Sequence, residues 1–249
     1  MNPKEYQHFY NKVGRLNGWD FSTLRVTVEG AAWNFSDQVK SWCRPADVLL
    51  DIGTGGGEAL LALADSALLL VGIDQSEGML ETAAHNLGSS GRSNVRFLHM
   101  DAAQLHFPDA FFNVVTCRHS EFYAKEAARV LTKNGVFLTQ QVSEGDKNNL
   151  KQAFGRGQAW NNEPGALKNR YAAELKAAGF ARIQTFEYDA TEYYHTAEDL
   201  IFLLKYTPIV PNFGHDEADF HILNRFIEEH QTDQGIRTHA KRFMIIAEK

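Results

Sequence analysis

Short apolar runs alternate along this chain with stretches in which apolar residues recur every three or four positions. The runs fall at residues 48–52, 68–73, 95–98, 113–116 and 136–141. Runs of that length without strict alternation suit strands buried on both faces of a parallel sheet. Helical stretches separate them. One opens at Glu58, one runs from a Ser76 N-cap to about Leu87 with Gly88 closing it, and one follows Ser120 to about Leu131. Five strands alternating with helices predict a doubly wound α/β sheet.

The flanking regions have their own patterns. Tyr6, Phe9, Tyr10 and Val13 are spaced as one face of a short helix, Gly14 and Gly18 loosen the backbone after it, and a second helix is expected from Ser36 to Cys43, ended by Arg44-Pro45. This aromatic-rich segment is placed to fold over a ligand as a lid. After the fifth strand, residues 167–178 read as a helix stopped by Gly179, and residues 182–188 and 242–247 as strands. The segment 190–239 between those strands carries helical patterns near 198–205 and 216–230, the second with Phe220, Leu223, Phe226 and Ile227 at helical spacing. The expected organisation is a single domain: lid helices at 1–46, a core at 47–141, and a C-terminal half at 142–249 with a cap inserted at 190–239.

Chemistry concentrates at the first core strand. Asp47 to Gly57 reads Asp-Val-Leu-Leu-Asp-Ile-Gly-Thr-Gly-Gly-Gly, a strand that runs straight into a glycine turn and a helix N-terminus. Such a turn lets backbone approach a ligand closely. Asp51 narrows the ligand, since a carboxylate at a strand tip repels a pyrophosphate and suits an ammonium group. Asp74 ends the second strand, where an acid accepts hydrogen bonds from both hydroxyls of a ribose. Met79, in the next helix's first turn, is placed to pack on an adenine face, and Asp101-Ala102 beyond the third strand to meet adenine's polar edge. Cys117-Arg118-His119-Ser120 sits at the fourth strand's tip, where open α/β sheets bind ligands.

Net charge and cysteine content narrow the setting. A net charge of −6 supplies no cationic field for nucleic acid, and Cys43 and Cys117 form neither a metal motif nor a disulfide framework. The N-terminal Met-Asn-Pro-Lys-Glu-Tyr lacks leader character, and the apolar region at 59–73 is broken by Asp65 and Ser66. The expectation is a cytoplasmic protein, monomer or homodimer, with no nucleic-acid or membrane partner.

Four segments carry a family resemblance. Asp-Ile-Gly-Thr-Gly-Gly-Gly, Val-Gly-Ile-Asp-Gln-Ser-Glu-Gly-Met-Leu, Met-Asp-Ala-Ala-Gln-Leu-His-Phe-Pro-Asp and Ala-Arg-Val-Leu-Thr-Lys-Asn-Gly-Val-Phe-Leu occur in the order and spacing of the class I S-adenosylmethionine-dependent methyltransferases. The chain most resembles the small-molecule group that includes the ubiquinone and menaquinone methyltransferases. The resemblance implies a Rossmann-like, mostly parallel seven-stranded sheet with an antiparallel last strand, and S-adenosyl-L-methionine as cofactor. It implies that Asp51, Gly53, Thr54 and Gly55 hold the methionine part, Asp74 the ribose, Gln75 and Met79 the adenine pocket, and Asp101 and Ala102 its polar edge. The backbone at Cys117 and Arg118 would close over the methionine end. Two departures stand out: Lys133-Asn134-Gly135 replaces the family's Pro-Gly-Gly, and the segment 118–126 is shorter than usual.

Methyl transfer from a sulfonium requires mainly that an acceptor lone pair be held in line in a dry pocket. His119 is the candidate general base, Arg118 or Glu121 could orient a charged acceptor, and Tyr10, Tyr6 and His8 are further candidates from the lid. The expected reaction is methylation of an oxygen, nitrogen or carbon of a small metabolite. The alternatives are an RNA or protein acceptor, or a non-catalytic nucleotide-binding protein. A nicotinamide-dependent reductase fits poorly, because the chain lacks a Tyr-x-x-x-Lys pair and repeats an acid at a third strand tip.

Overall fold

The computed structural model describes residues 2–249; Met1, part of the N-terminal segment read above, lies outside them. The chain begins with α1 (Pro3–Asn17), which opens on a capping box: the Asn2 side chain accepts the Glu5 N–H while the Glu5 carboxylate accepts that of Asn2. A short strand β1 (Val26–Glu29) precedes α2 (Phe35–Trp42), whose N-cap is Asn34 and not Ser36. Next come β2 (Val48–Ile52), α3 (Glu58–Leu61), β3 (Leu69–Asp74), α4 (Glu77–Ser90), β4 (Val95–His99) and β5 (Phe112–Arg118). The chain continues through α5 (Ala124–Val130), β6 (Leu131–Val142), α6 (Asn148–Phe154) and α7 (Ala166–Ala177). It ends with β7 (Arg182–Tyr194), α8 (Ala197–Tyr206), α9 (Ala218–His230), β8 (Gln231–Thr232) and β9 (Gly235–Glu248).

The strands form one sheet in the order β1-β7-β9-β6-β5-β2-β3-β4, with β8 on β9. From β4 to β6 all pairings are parallel, and β9 then enters antiparallel between β6 and β7. Leu49, Leu50, Ile52, Leu70 and Ile73 are buried because helices cover both faces, which is why their segments read as unbroken apolar runs. The class, the mostly parallel sheet and the antiparallel last strand match the expectation, but the sheet has nine strands among the described residues and not seven. The additions are β1, antiparallel to the last four residues of β7, and β8, folded back on the start of β9.

The β7–β9 hairpin also reaches further than its apolar segments suggested, pairing from Arg182–Glu248 out to Tyr194–Ile236. Its far end carries a third hydrophobic core, separate from the two on the sheet faces, in which Tyr194 and Ile236 pack with Leu200, Leu203 and Leu204 of α8 and Leu223 and Phe226 of α9. Two helix boundaries differ as well. Helix α4 continues past Gly88 to Ser90, where Gly91 in the left-handed region ends it, and α5 starts at Ala124 because His119 at φ 57° keeps the chain irregular after β5. Among the described residues no helix is long and apolar enough to cross a membrane.

Helix α1 docks on α4 through a close backbone approach. A Cβ on Gly14 would overlap the Met79 backbone nitrogen, and one on Gly78 would overlap the carbonyl of Asn11. Asn11 Oδ1 accepts from Ser76 Oγ at 2.8 Å, Thr82 Oγ1 donates to the Gly14 carbonyl at 2.7 Å, and Arg15 pairs with Glu81. The contact has no room for a methyl group. Gly14→Ala is expected to weaken docking by roughly 1–3 kcal/mol and to open the segment after α1 to limited proteolysis. A variant as protease-resistant as the wild type would show that the approach does not hold the lid.

Candidate functional site

The glycine turn is fixed by hydrogen bonds to the end of β3. Gly53 N and Thr54 N both donate to the Ile73 carbonyl at 2.9 Å, and Gly55 N donates to Asp74 Oδ2 at 2.9 Å. The other Asp74 oxygen accepts Ser76 N at 2.8 Å. One carboxylate thus ties the turn after β2 to the start of α4. Burial raises the Asp74 carboxyl above the usual range despite those bonds. Gly53 and Gly55 adopt φ of 72° and 59°, and a Cβ on Gly53 would run into the Ser120 side chain.

Asp51 lies one strand over. Its carboxylate accepts Thr116 Oγ1 at 2.7 Å across the β2–β5 pairing and faces the cavity. Burial pushes its pKa up to about 6; the Thr116 and Thr54 hydroxyls and Arg118 pull it down, and Asp74 adds to the rise. Beside β3 and β4, Gln75 Nε2 approaches Asp101 Oδ1 at 3.5 Å, and that oxygen accepts Ala103 N at 2.8 Å. Ala102 is buried behind it. Met79 is buried at the first turn of α4, between α1 and the glycine turn. The structure therefore places Asp51, Gly53 and Thr54 on the cavity wall, with Asp74, Gln75, Asp101 and Ala102 along the adjoining strand tips and Met79 beneath the turn.

The cavity measures about 770 Å³ and runs from the glycine turn to the cap. Ring contacts bridge its mouth: Tyr10 to Trp19 at 5.7 Å, Trp19 to Phe21 at 5.2 Å, Phe21 to Phe202 at 5.9 Å, and Phe202 to Tyr206 at 4.7 Å. These link α1 to α8, so the lid and the cap meet over the site. Burial raises the Tyr10 hydroxyl, with Tyr6 and Asp74 adding to the shift. Of the other lid and tip candidates, Tyr6, His8 and Glu121 do not line the cavity.

Arg118 and His119, at the tip of β5, do line it. The hydrogen bonds of His119 settle its tautomer. The Trp33 indole N–H, a donor only, reaches Gln140 Oε1 at 2.8 Å. Gln140 must then present its amide N–H groups to His119 Nε2, 3.2 Å away, so Nε2 accepts and the proton resides on Nδ1. Burial, then Arg242 and Arg118, hold the imidazole well below its usual pKa, so it is neutral at physiological pH.

The inner wall consists of residues the sequence reading did not single out. Asp146 accepts from Arg242 and from Lys241 N, and Glu192 accepts from Lys147 and, at 2.6 Å, from Tyr194 Oη. Lys147 and Asp146 are almost fully buried. They escaped notice because a charged residue ordinarily marks a solvated face, and because the long hairpin brings positions 45 and 96 residues apart into contact. An arginine within the apolar pattern at 242–247 was the available signal.

Comparison with known proteins follows the same lines. Residues 49–135 match the family model described as a methyltransferase domain. The chain is 36% identical over 103 residues to the uncharacterized methyltransferase YcgJ of Bacillus subtilis, a match covering 39% of this chain and 41% of that protein. It is 33% identical over 168 residues to a demethylmenaquinone methyltransferase of Lactococcus lactis, covering 62% of this chain and 65% of that one. The crystal structure of the Bacillus YcgJ protein superposes with a TM-score of 0.61 at 22% identity, covering 85% of this chain and 96% of that one. At that identity the superposition speaks for the fold. Residues 49–135 thus match a methyltransferase domain, and the chain has the class I, Rossmann-like methyltransferase fold.

Proposed function

We propose that this protein is an S-adenosylmethionine-dependent methyltransferase that acts on an oxygen, nitrogen or carbon of a small metabolite, with lid, core and cap forming one domain. The observation that carries the reading is the Asp51 carboxylate, half-buried at a strand tip with a hydroxyl and no cation as its hydrogen-bond partner. An ammonium group would supply the missing positive charge. The glycine turn fits the same ligand, since backbone without side chains can approach it closely and Gly53 and Thr54 line the cavity. Asp74 keeps lone pairs free for ribose hydroxyls, and Gln75, Met79, Asp101 and Ala102 would meet the adenine. The main chain at Cys117 and Arg118 would close over the methionine end.

When bound, S-adenosylmethionine would supply a methyl group made electrophilic by its sulfonium. The residues of this chain contribute position and dryness. Tyr10 and Trp19 cover the turn, exclude water, and present ring faces that favour a cation by roughly 0.5–2 kcal/mol. A cavity of about 770 Å³ under the lid suits a small acceptor. His119 fits a hydrogen-bond donor that positions the acceptor better than the general base first expected. Its Nε2 lone pair is engaged by Gln140, and its depressed pKa makes it a poor proton acceptor.

The test is transfer of labelled methyl from the donor to a fractionated cell extract. Label is expected in the small-molecule fraction; label in protein or RNA, or none at all, would refute the reading.

Asp51 gives a pH prediction with a definite sign. Its folded pKa of about 6 exceeds the ordinary carboxyl value, so the unliganded protein loses stability as pH rises from about 4 to about 6. Asp51→Asn should therefore be more stable than wild type above that window, by roughly 1–3 kcal/mol, and no more stable near its lower end. Donor-product affinity should move the opposite way. In the wild type it should fall by up to about tenfold per pH unit below pH ~6, and in the variant it should be weak and flat. Equal affinities for the two proteins at neutral pH would show that Asp51 meets no ammonium.

A further inference from the structure

The inner end of the cavity gathers charged and polar side chains. One oxygen of Asp146 accepts from Arg242 and the Lys241 N–H, and one oxygen of Glu192 from Lys147 and Tyr194. The Gln140 oxygen is taken by Trp33. Donors remain. The Arg118 guanidinium, in the cavity wall, has no hydrogen bond or ion pair among the described residues; desolvation and Arg242 disfavour its charged form, while Tyr188 and Asp51 favour it. Arg242 engages its carboxylate partner through Nη1, leaving its other N–H groups. His119, its tautomer set by Gln140, has an Nδ1–H with no acceptor among the described residues. Two guanidinium groups and an N–H of one neutral imidazole thus line one cavity, and no carboxylate is bonded to Arg118 among the described residues. Next to them the wall turns apolar, with Leu24, Val26, Leu203 and Ile209.

We propose that Arg118, Arg242 and the Nδ1–H of His119 form an oxyanion subsite, so that the methyl acceptor is a small molecule with an apolar body and one carboxylate or phosphate. The proposal rests on the methyltransferase reading and adds the acceptor's charge to it. An arginine fork pairs with either oxyanion in two parallel hydrogen bonds, and the imidazole supplies a third donor that fixes the angle. The apolar stretch would hold the rest of the acceptor against the lid. Asp51 serves the donor's ammonium, so the two charged ends of the reaction occupy separate carriers: a carboxylate on β2 and a guanidinium on β5.

The test uses the full-length protein saturated with S-adenosylhomocysteine and titrated with benzoate, phenyl phosphate and neutral benzamide, read by thermal shift and calorimetry. Benzoate or phenyl phosphate should stabilise the complex and benzamide should not; which anion binds better distinguishes carboxylate from phosphate. Arg118→Gln should weaken the favoured anion by about tenfold or more while changing S-adenosylhomocysteine affinity by less than about threefold, and Arg118→Lys should keep part of the anion response. Benzamide matching the anions, no anion binding above benzamide, or loss of S-adenosylhomocysteine binding in Arg118→Gln would each overturn the proposal. The last would assign the guanidinium to the donor's own carboxylate. If the wild type fails to bind S-adenosylhomocysteine, the methyltransferase reading falls and this proposal with it; failure confined to the anions removes this proposal alone.

Discussion

A half-buried carboxylate at the tip of β2 is the constraint around which the site is built. Burial of Asp51 raises its pKa to about 6, so its ionised form carries a free-energy penalty at physiological pH. Thr116 relieves only part of it, and no lysine or arginine bonds to this carboxylate among the described residues. Such an arrangement is stable only on a scaffold held together elsewhere. Here the parallel strands on either side supply that support, with Leu49, Leu50, Ile52, Val114 and Val115 buried around it. The neighbouring turn is held by the two oxygens of Asp74, which tie Gly55 and Ser76 together and leave the turn's inner surface open to a ligand.

Around this core the chain builds a roof from two remote pieces. Helix α1 reaches α4 by a backbone approach that only glycine permits, and the cap stands on the far end of the β7–β9 hairpin. The ring series from Tyr10 to Tyr206 joins the two pieces over the cavity. The same hairpin carries Glu192 and Arg242 to the residues after β6, where they pair with Lys147 and Asp146. The cap and the buried ion pairs are thus consequences of one long antiparallel insertion into an otherwise parallel sheet. Breaking either ion pair would leave a buried charge, which costs more than the pair itself is worth.

The parts legible in the sequence were those governed by local rules. Strands covered on both faces must be apolar throughout, so β2, β3 and β5 announced themselves, and with them the positions of Asp51, Asp74 and Arg118 at the tips. The glycines were legible because the turn admits no side chain. The far ends of β7 and β9 were not, because there the hairpin has an exposed face and polar residues such as Glu187, Asp189 and Lys241 interrupt the pattern. Strand β1 is four residues long and half polar, and α6 starts from Lys147 in a left-handed conformation with no side-chain cap, so neither leaves a local mark. The role proposed for His119 differs from the one first expected for a similar reason. Its type and position are visible locally, but its tautomer depends on Gln140 and Trp33, 21 residues after it and 107 residues before Gln140.

The central claim is that these strand tips hold a nucleoside bearing a free amino acid end. Calorimetric titration of the wild-type protein with S-adenosylhomocysteine, set beside adenosine and NADH, tests it most directly. The account predicts saturable binding of S-adenosylhomocysteine at one site, tighter than adenosine because Asp51 meets the ammonium, with little or no binding of NADH. Absence of heat and of thermal stabilisation with S-adenosylhomocysteine, or NADH binding of equal strength, would contradict it.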